Sequence, residues 1–253
     1  MSHPLILLSN DDGFRASGLG LLKEALEKLG TVVVCAPDSE QSAASHALSL
    51  HRPLRLKEQD KSVFSIDGTP ADCVYVALHA GTRVLPRRPD LVVSGLNHGV
   101  NLGDDVFYSG TVAAAREGAL KGVPSIAASA DHGADFAAAA ALTARIAQTV
   151  LERNQGSLLL NINFPTGKAW KTRATRLGSR VYRDDVEFRR DPRGREYLWV
   201  GGEGSVEHRA VAGSDTEAFD EGVVGITPLV LDLWGRADQE RLEALLSALA
   251  PEG

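Results

Sequence analysis

At 253 residues, with 43% hydrophobic and 24% charged side chains, the chain has the size and composition of one large globular domain. A formal net charge of −6 implies no broad basic face, which argues against duplex nucleic acid as the main partner, and no apolar run, Phe136 to Leu142 included, is long enough to span a bilayer. The first strand follows Met1 so closely that no signal peptide is expected, and the two cysteines, Cys35 and Cys73, read as buried free thiols, so the cytoplasm is the expected compartment.

The apolar run Leu5 to Ser9 has strand length and ends in Asn10-Asp11-Asp12-Gly13. Two readings stand side by side there. Asn, Asp and Gly are turn residues, and two adjacent carboxylates at a strand end suit a hard divalent cation. Leu19, Leu22, Ala25, Leu26 and Leu29 recur at helical spacing, Gly30 stops the helix, and Thr31 to Ala36 is a second strand. This strand-helix-strand unit predicts a right-handed parallel crossover. Gly13, Gly18 and Gly20 do not form a dinucleotide fingerprint, and no Walker A lysine follows.

The loop from Pro37 to His46 leaves the same sheet edge as Asp11 and Asp12, which brings the hydroxyls of Ser42 and Ser45 within reach; helix capping is the alternative role. Leu54 to Leu56 and Val63 to Ile66 read as a hairpin excursion around the polar turn Glu58 to Lys61. Thr69 is an N-cap with Pro70 in the first helical position. Leu91 to Ser94 is a buried strand ending in the Gly-, Asn- and Asp-rich loop Gly95 to Asp105, which offers close backbone approach and neutral oxygen ligands. Ser109-Gly110-Thr111 opens an Ala-rich helix reaching Leu120, where free N–H groups suit an anion and a plain N-cap is the simpler role.

Ser125 to Ala130 is a strand, Phe136 to Arg153 an amphipathic helix, and Leu158 to Asn163 a strand closed by Phe164-Pro165. Five parallel-type strands with alternating helices predict an α/β fold close to a doubly wound sheet. The composition then turns rich in Arg and Asp. Residues 166–210, with strands over Val181 to Phe188 and Tyr197 to Val200 around Asp191 to Gly194, read as a projecting β-hairpin arm. Tyr182, Phe188, Tyr197 and Trp199 give the arm apolar surface to bury on a partner subunit. A short helix begins at Gly213 to Ala218, Val223 to Thr227 is the last strand, and Gln239 to Leu249 is a closing amphipathic helix. Residues 1–253 thus read as one domain, with the arm and the segment 211–253 as its appendages.

Taken together, Asn10-Asp11-Asp12-Gly13, Ala36-Pro37-Asp38 with Gln41-Ser42-Ala43, Gly68 to Cys73, Ser94 to Gly99 with Asn101, Ser109-Gly110-Thr111, Asn161 to Pro165, Ser214 to Ala218 and Ile226 to Leu229 resemble the SurE (survival protein E) family of 5'/3'-nucleotidases, in order and over nearly the whole chain. The resemblance implies a Rossmann-like three-layer core with a parallel sheet, hydrolysis of nucleoside monophosphates, and one Mg²⁺ or Mn²⁺ per subunit. It also implies a homodimer or homotetramer with a C-terminal element exchanged between subunits. Carried over by motif, the metal ligands are Asp11, Asp12, Ser42 and Asn97, and the phosphate-binding residues are Asn97, Asn101, Ser109, Gly110 and Thr111.

Two carboxylates leave such a cation nearly neutralised, so a phosphate dianion binds without repulsion, and about two coordination positions stay open for water or substrate. Asp11 and Asp12 are the catalytic candidates, Asp11 as general base, with His98 and then His46 as other proton carriers, a surface or structural role being the simpler reading for either; the sequence assigns no donor to the leaving group. The adjacency of Asp11 and Asp12 disfavours the D-x-D aspartyl-phosphate route, and no nucleophile elbow surrounds Ser42. Short polyphosphate is a further candidate substrate, and a non-catalytic nucleotide sensor is the alternative function on this fold.

Overall fold

The computed structural model describes residues 3–153, 156, 158–182, 186–200, 206–247 and 249. β1 (Leu5–Ser9) is buried along its whole length, and its side chains alternate between two helical layers. Ile6 and Leu8 pack beneath Leu19, Leu22 and Leu26 of α1 (Ser17–Leu26). Leu5 and Leu7 face Cys73, Val74 and Ala77 of α2 (Pro70–His79). This period-two division, apolar on both faces, is what a central parallel strand requires.

β2 (Thr31–Pro37) follows α1 and lies parallel to β1. β3 (Leu56–Asp60) and β4 (Val63–Ile66) form the expected hairpin, with a tighter turn, so Glu58 to Asp60 are strand rather than turn. They lie at an exposed sheet edge, where charged residues need no apolar pattern and discourage further pairing. β4 also joins the main sheet, parallel to β2. β5 (Leu91–His98), α3 (Gly110–Leu120), β6 (Ser125–Ala130), α4 (Phe136–Arg153) and β7 (Leu159–Phe164) complete the core. β5 runs four residues past the predicted Ser94, through a register shift against β6 between Ser94 and Asn97. Gly95 makes the shift possible: its φ is +133°, and a Cβ there would lie 2.3 Å from the Ala128 carbonyl oxygen.

Past Pro165, β8 (Thr172–Ala174) returns to the main sheet, inside the stretch predicted as arm. Its residues are at most partly buried, so no apolar pattern marks it. The projection consists of β9 (Ser179–Val181) paired with β12 (Glu207–Arg209), and of β10 (Val186–Arg190) paired with β11 (Glu196–Val200). Of the strand predicted over Val181 to Phe188, residues 183–185 lie outside the described residues. In the outer hairpin Val186, Phe188, Leu198 and Val200 share one face, 46 to 82% exposed.

α5 (Asp215–Asp220) leads into β13 (Val224–Pro228), which pairs antiparallel with β7 and parallel with β8. The main sheet therefore runs β3-β4-β2-β1-β5-β6-β7-β13-β8. Its six strands from β4 to β7 are parallel. α6 (Gln239–Ser247) has no buried residue, and Val230, Leu233 and Trp234 before it are exposed. The predicted helix ran to Leu249; residues 248 and 250–253 of the C-terminal segment lie outside those described. No described helix is long and apolar enough to cross a membrane.

Candidate functional site

The strand order reverses between β1 and β5: successive strands from β1 step outward through β2 to β4, and those from β5 step the other way through β6 to β7. The carboxyl ends of β1 and β5 therefore flank a crevice of the kind in which open α/β sheets bind ligands. Asn10 to Gly13 closes β1, and Asn97 stands at the end of β5.

The turn reading of Asn10 to Gly13 holds. Asn10 Nδ2 donates to the Gly13 carbonyl at 2.9 Å, and Gly13 adopts φ +96°. Asn10 and Gly13 thus make the turn, and Asp11 and Asp12 are left for other work. Asp11, 4% exposed, points at the start of α3. Its Oδ2 accepts from the Thr111 N–H at 3.1 Å, and its Oδ1 accepts from the Thr111 hydroxyl. Burial pushes the Asp11 carboxyl up to about 6; the Thr111 hydrogen bond opposes this and the Asp12 charge adds to it. Asp12 turns toward β5, where its Oδ2 accepts from the His98 N–H at 3.3 Å and lies 3.7 Å from His98 Nδ1. The His98 ring stacks on Phe136 at 4.3 Å between centroids.

Asn97 Nδ2 donates to the Gly99 carbonyl at 2.7 Å, which orients its other amide atom, Oδ1, as the free acceptor. The Gln41 N–H donates to the Asp11 carbonyl oxygen at 2.8 Å and so brings the loop after β2 to the same place. Ser42 lines the resulting cleft, and its hydroxyl donates to Glu40 Oε1 at 2.8 Å.

The start of α3 is engaged differently from the expectation that Ser109, Gly110 and Thr111 all face a phosphate. Ser109 Oγ caps the helix by accepting from the Val112 N–H at 3.1 Å, and the Ser109 N–H donates to Asp105. Thr111 is committed to Asp11. The Gly110 N–H, with no acceptor among the described residues, and the Ser109 hydroxyl proton, which the cap bond does not use, are the donors left for an anion. Gly110 must be glycine for packing reasons: a Cβ would lie 2.8 Å from the Asp11 Cβ and 3.0 Å from its Oδ2. Asn101 is largely a scaffold. It donates to Asn163 Oδ1 and Ser129 Oγ, both at 2.7 Å, and its carbonyl accepts from the amides of Asn161 and Asn163.

The cleft measures about 770 Å³ and is lined by Asp11, Ser42, Asn97, His98, Asn101 and Ser109 on the sheet side. Its outer wall comes from the base of the arm, through Arg180, Val181, Tyr182, Val200 and Arg209, with Asp104, Asp105 and Tyr108 between. Arg180 pairs with Asp105, Tyr182 donates its hydroxyl to the same carboxylate, and the guanidinium lies 5.3 Å from the centre of the Tyr182 ring. Burial, reinforced by Asp105, pushes the Tyr182 phenol well above its ordinary range. Nothing in the sequence signals this wall beyond the Arg- and Tyr-rich composition of the arm. His46 is absent from the cleft; it pairs with Glu117 of α3 at 2.9 Å.

Neither Asp11 nor Asp12 pairs with a lysine or arginine among the described residues. Two neighbouring carboxylates, one deeply buried, thus lack a fixed lysine or arginine counter-charge, and Asn97 and Ser42, which line the same cleft as Asp11, offer neutral oxygens. No three His, Cys, Asp or Glu side chains cluster as a metal site among the described residues; carboxylate, amide and hydroxyl oxygens are the donor types a hard cation takes, without the nitrogen and sulfur ligands that suit zinc. Cys35 and Cys73 are buried and unbridged.

A family model described as survival protein SurE matches residues 6–184. The 5'-nucleotidase SurE of Sorangium cellulosum is 61% identical over 256 aligned positions, covering 99% of this chain and 98% of that protein. That of Geobacter sulfurreducens is 46% identical, covering 98% and 96%. The crystal structure of the SurE protein from Aquifex aeolicus superposes with a TM-score of 0.81 at 38% identity, covering 96% of this chain and all of that one.

Proposed function

The chain belongs to the survival protein SurE family and is a 5'-nucleotidase, and from this premise we propose that it hydrolyses nucleoside 5'- and 3'-monophosphates to nucleoside and phosphate with one Mg²⁺ or Mn²⁺ per subunit. The observation that carries the metal reading is the pair Asp11 and Asp12, without a basic partner, beside Asn97 at the sheet's switch point. Asp11, Asp12, Asn97 and Ser42 would hold the cation, Ser42 after turning its hydroxyl away from Glu40. When bound, such an ion polarises a phosphoryl group and acidifies a water.

The protein's own part is orientation and charge. The uncommitted Gly110 N–H, at the positive end of α3, donates to a phosphoryl oxygen and matches the charge that develops in the transition state. Thr111 holds the Asp11 carboxylate against rotation through two hydrogen bonds, which leaves lone pairs on both oxygens. Asp11 takes the proton of the attacking water. His98 would return a proton to the leaving oxygen, a role supported by its position in the cleft lining, 3.7 Å from Asp12. Short polyphosphate is a further substrate under this reading, supported by Arg180 and Arg209 along the outer wall. The exposed apolar face of the outer hairpin and the exposed residues of 230–247 support a homodimer or homotetramer in which these surfaces are covered by other subunits. The buried free thiols suit a reducing cytoplasm.

The deciding assay is phosphate release from nucleoside 5'- and 3'-monophosphates and short polyphosphate, with Mg²⁺, Mn²⁺ or chelator. The expected result is cation-dependent turnover that is abolished in Asp12→Asn. Full turnover in chelator would refute the metal reading, and tight nucleotide binding without turnover would leave the protein a sensor.

A further inference from the structure

Glu117 lies within α3, eight residues past the Ser109 cap, and its side chain is only 3% exposed. Apart from Thr111 and Arg116, the helix around it is built of Val, Ala, Gly and Leu. An ionised carboxylate in such surroundings is unfavourable unless paired, and an apolar side chain of similar size would fill the space at no such cost. Its partners are His46 Nε2 at 2.9 Å and Lys121 Nζ at 3.3 Å. Burial works against the charge, yet His46 and Lys121 together hold the carboxyl below its ordinary range.

His46 ends the loop that carries Ser42. Ala43 and Ser45 in that loop have φ of 57° and 52°, a left-handed conformation that non-glycine residues keep only when their surroundings enforce it. The enforcing contacts lie on both sides. Upstream, the Gln41 N–H donates to the Asp11 carbonyl at 2.8 Å. Downstream, the Ser45 N–H donates to the Tyr108 carbonyl at 3.0 Å, the Ser45 hydroxyl donates to the Phe107 carbonyl at 2.7 Å, and His46 meets Glu117. Ser42 to Ala44 is therefore a short bridge between Asp11 and the segment that opens into α3. The His46–Glu117 contact is the one side-chain ion pair in that anchorage.

We propose that Glu117 and His46 are positioning residues: their contact pins the Ser42 loop to α3, so that the helix presenting Gly110 to phosphate also sets the place of the cation's serine ligand. This rests on the metal reading above.

The test is direct Mn²⁺ titration of substrate-free protein by calorimetry, with thermal unfolding and Mn²⁺ activation curves for the same variants. Glu117→Met removes the buried charge and fills its space. It is expected to unfold at or above the wild-type temperature and to bind Mn²⁺ about tenfold more weakly, the loss usual when a ligand's support is removed. Its kcat at saturating Mn²⁺ should stay within about threefold of wild type, the loss lying in half-activating cation concentration. Glu117→Gln keeps an acceptor for the imidazole N–H and should restore most of the affinity. Unchanged Mn²⁺ affinity in Glu117→Met overturns the inference, as does a loss that Glu117→Gln shares in full. If Glu117→Met does not fold, His46→Ala is judged by the same affinity criterion. Absence of Mn²⁺ binding in the wild type overturns the metal reading and this inference with it, whereas wild-type binding that the variants leave untouched overturns this inference alone.

Discussion

Under the proposed function, the Asp11 carboxylate is needed in a charged form that its burial makes costly. Its carboxyl is 4% exposed and titrates near 6 instead of the ordinary 3.8. At about 1.4 kcal/mol per tenfold change in proton affinity, the metal-free protein loses about 3 kcal/mol of stability when this group ionises. The folded state holds the proton more tightly than the unfolded chain does. The penalty is therefore absent below about pH 4, grows as pH rises between the two pKa values, and is complete above about 6. Asp11→Asn removes the charge and keeps the hydrogen bonds, because the Asn Oδ1 can accept from the Thr111 N–H while its amide donates to the Thr111 hydroxyl. Urea denaturation in chelator should show the variant more stable than wild type by about 2–3 kcal/mol at pH 8 and equal to it at pH 4. Added Mn²⁺ should reverse the order at pH 8 by stabilising only the wild type, and turnover of the variant should be lost. A stability difference that does not change with pH, or a variant less stable at pH 8, would refute the account of Asp11 as a buried, under-compensated carboxylate.

Gly110→Ala places a methyl 2.8 Å from the Asp11 Cβ and 3.0 Å from Pro70 Cγ; denaturation should show a loss of about 1–3 kcal/mol, and steady-state kinetics a fall in kcat/KM of at least about tenfold. His98→Gln should lower kcat for nucleoside monophosphates by about a hundredfold but p-nitrophenyl phosphate hydrolysis far less, since that leaving group needs no proton; equal losses would remove His98 as the acid. Asp215→Ala leaves the N–H groups of Gly103 and Gly178 without their acceptor and should cost about 3 kcal/mol in urea unfolding. Phe188→Ser combined with Leu198→Ser, on the shared apolar face of the outer hairpin, should shift the mass seen by analytical ultracentrifugation toward the monomer while leaving the far-ultraviolet dichroism of the core unchanged.

What the sequence disclosed was mainly local. Strands such as Leu5–Ser9 and Ser125–Ala130 are uniformly buried and read as apolar runs, and their polar ends locate the site, because in a parallel sheet every strand delivers its carboxyl end to the same edge. Edge strands escaped or blurred: Thr172–Ala174 and Glu58 to Asp60 face solvent, so no hydrophobic period marks them. The capping role of Ser109 was legible as an N-cap before an Ala-rich helix, but that of Thr111 was not, since which donor meets Asp11 depends on how α3 approaches β1. The cleft wall of Arg180, Tyr182 and Asp105, and the His46–Glu117 contact across 71 residues, are long-range pairings with no local signature.

The place of β13 between β7 and β8 has a consequence during synthesis. A nascent chain that has delivered α3 and β7 already contains Asp11, Asn97 and Gly110, but the outer edge of β7 stays unpaired until Val224 to Pro228 emerge from the ribosome. The loop bearing Gly103 likewise waits for Asp215. Translation thus leaves a buried-type strand, Leu159–Phe164, with an open edge for as long as the arm is being made, and an open edge is a template for pairing with another chain.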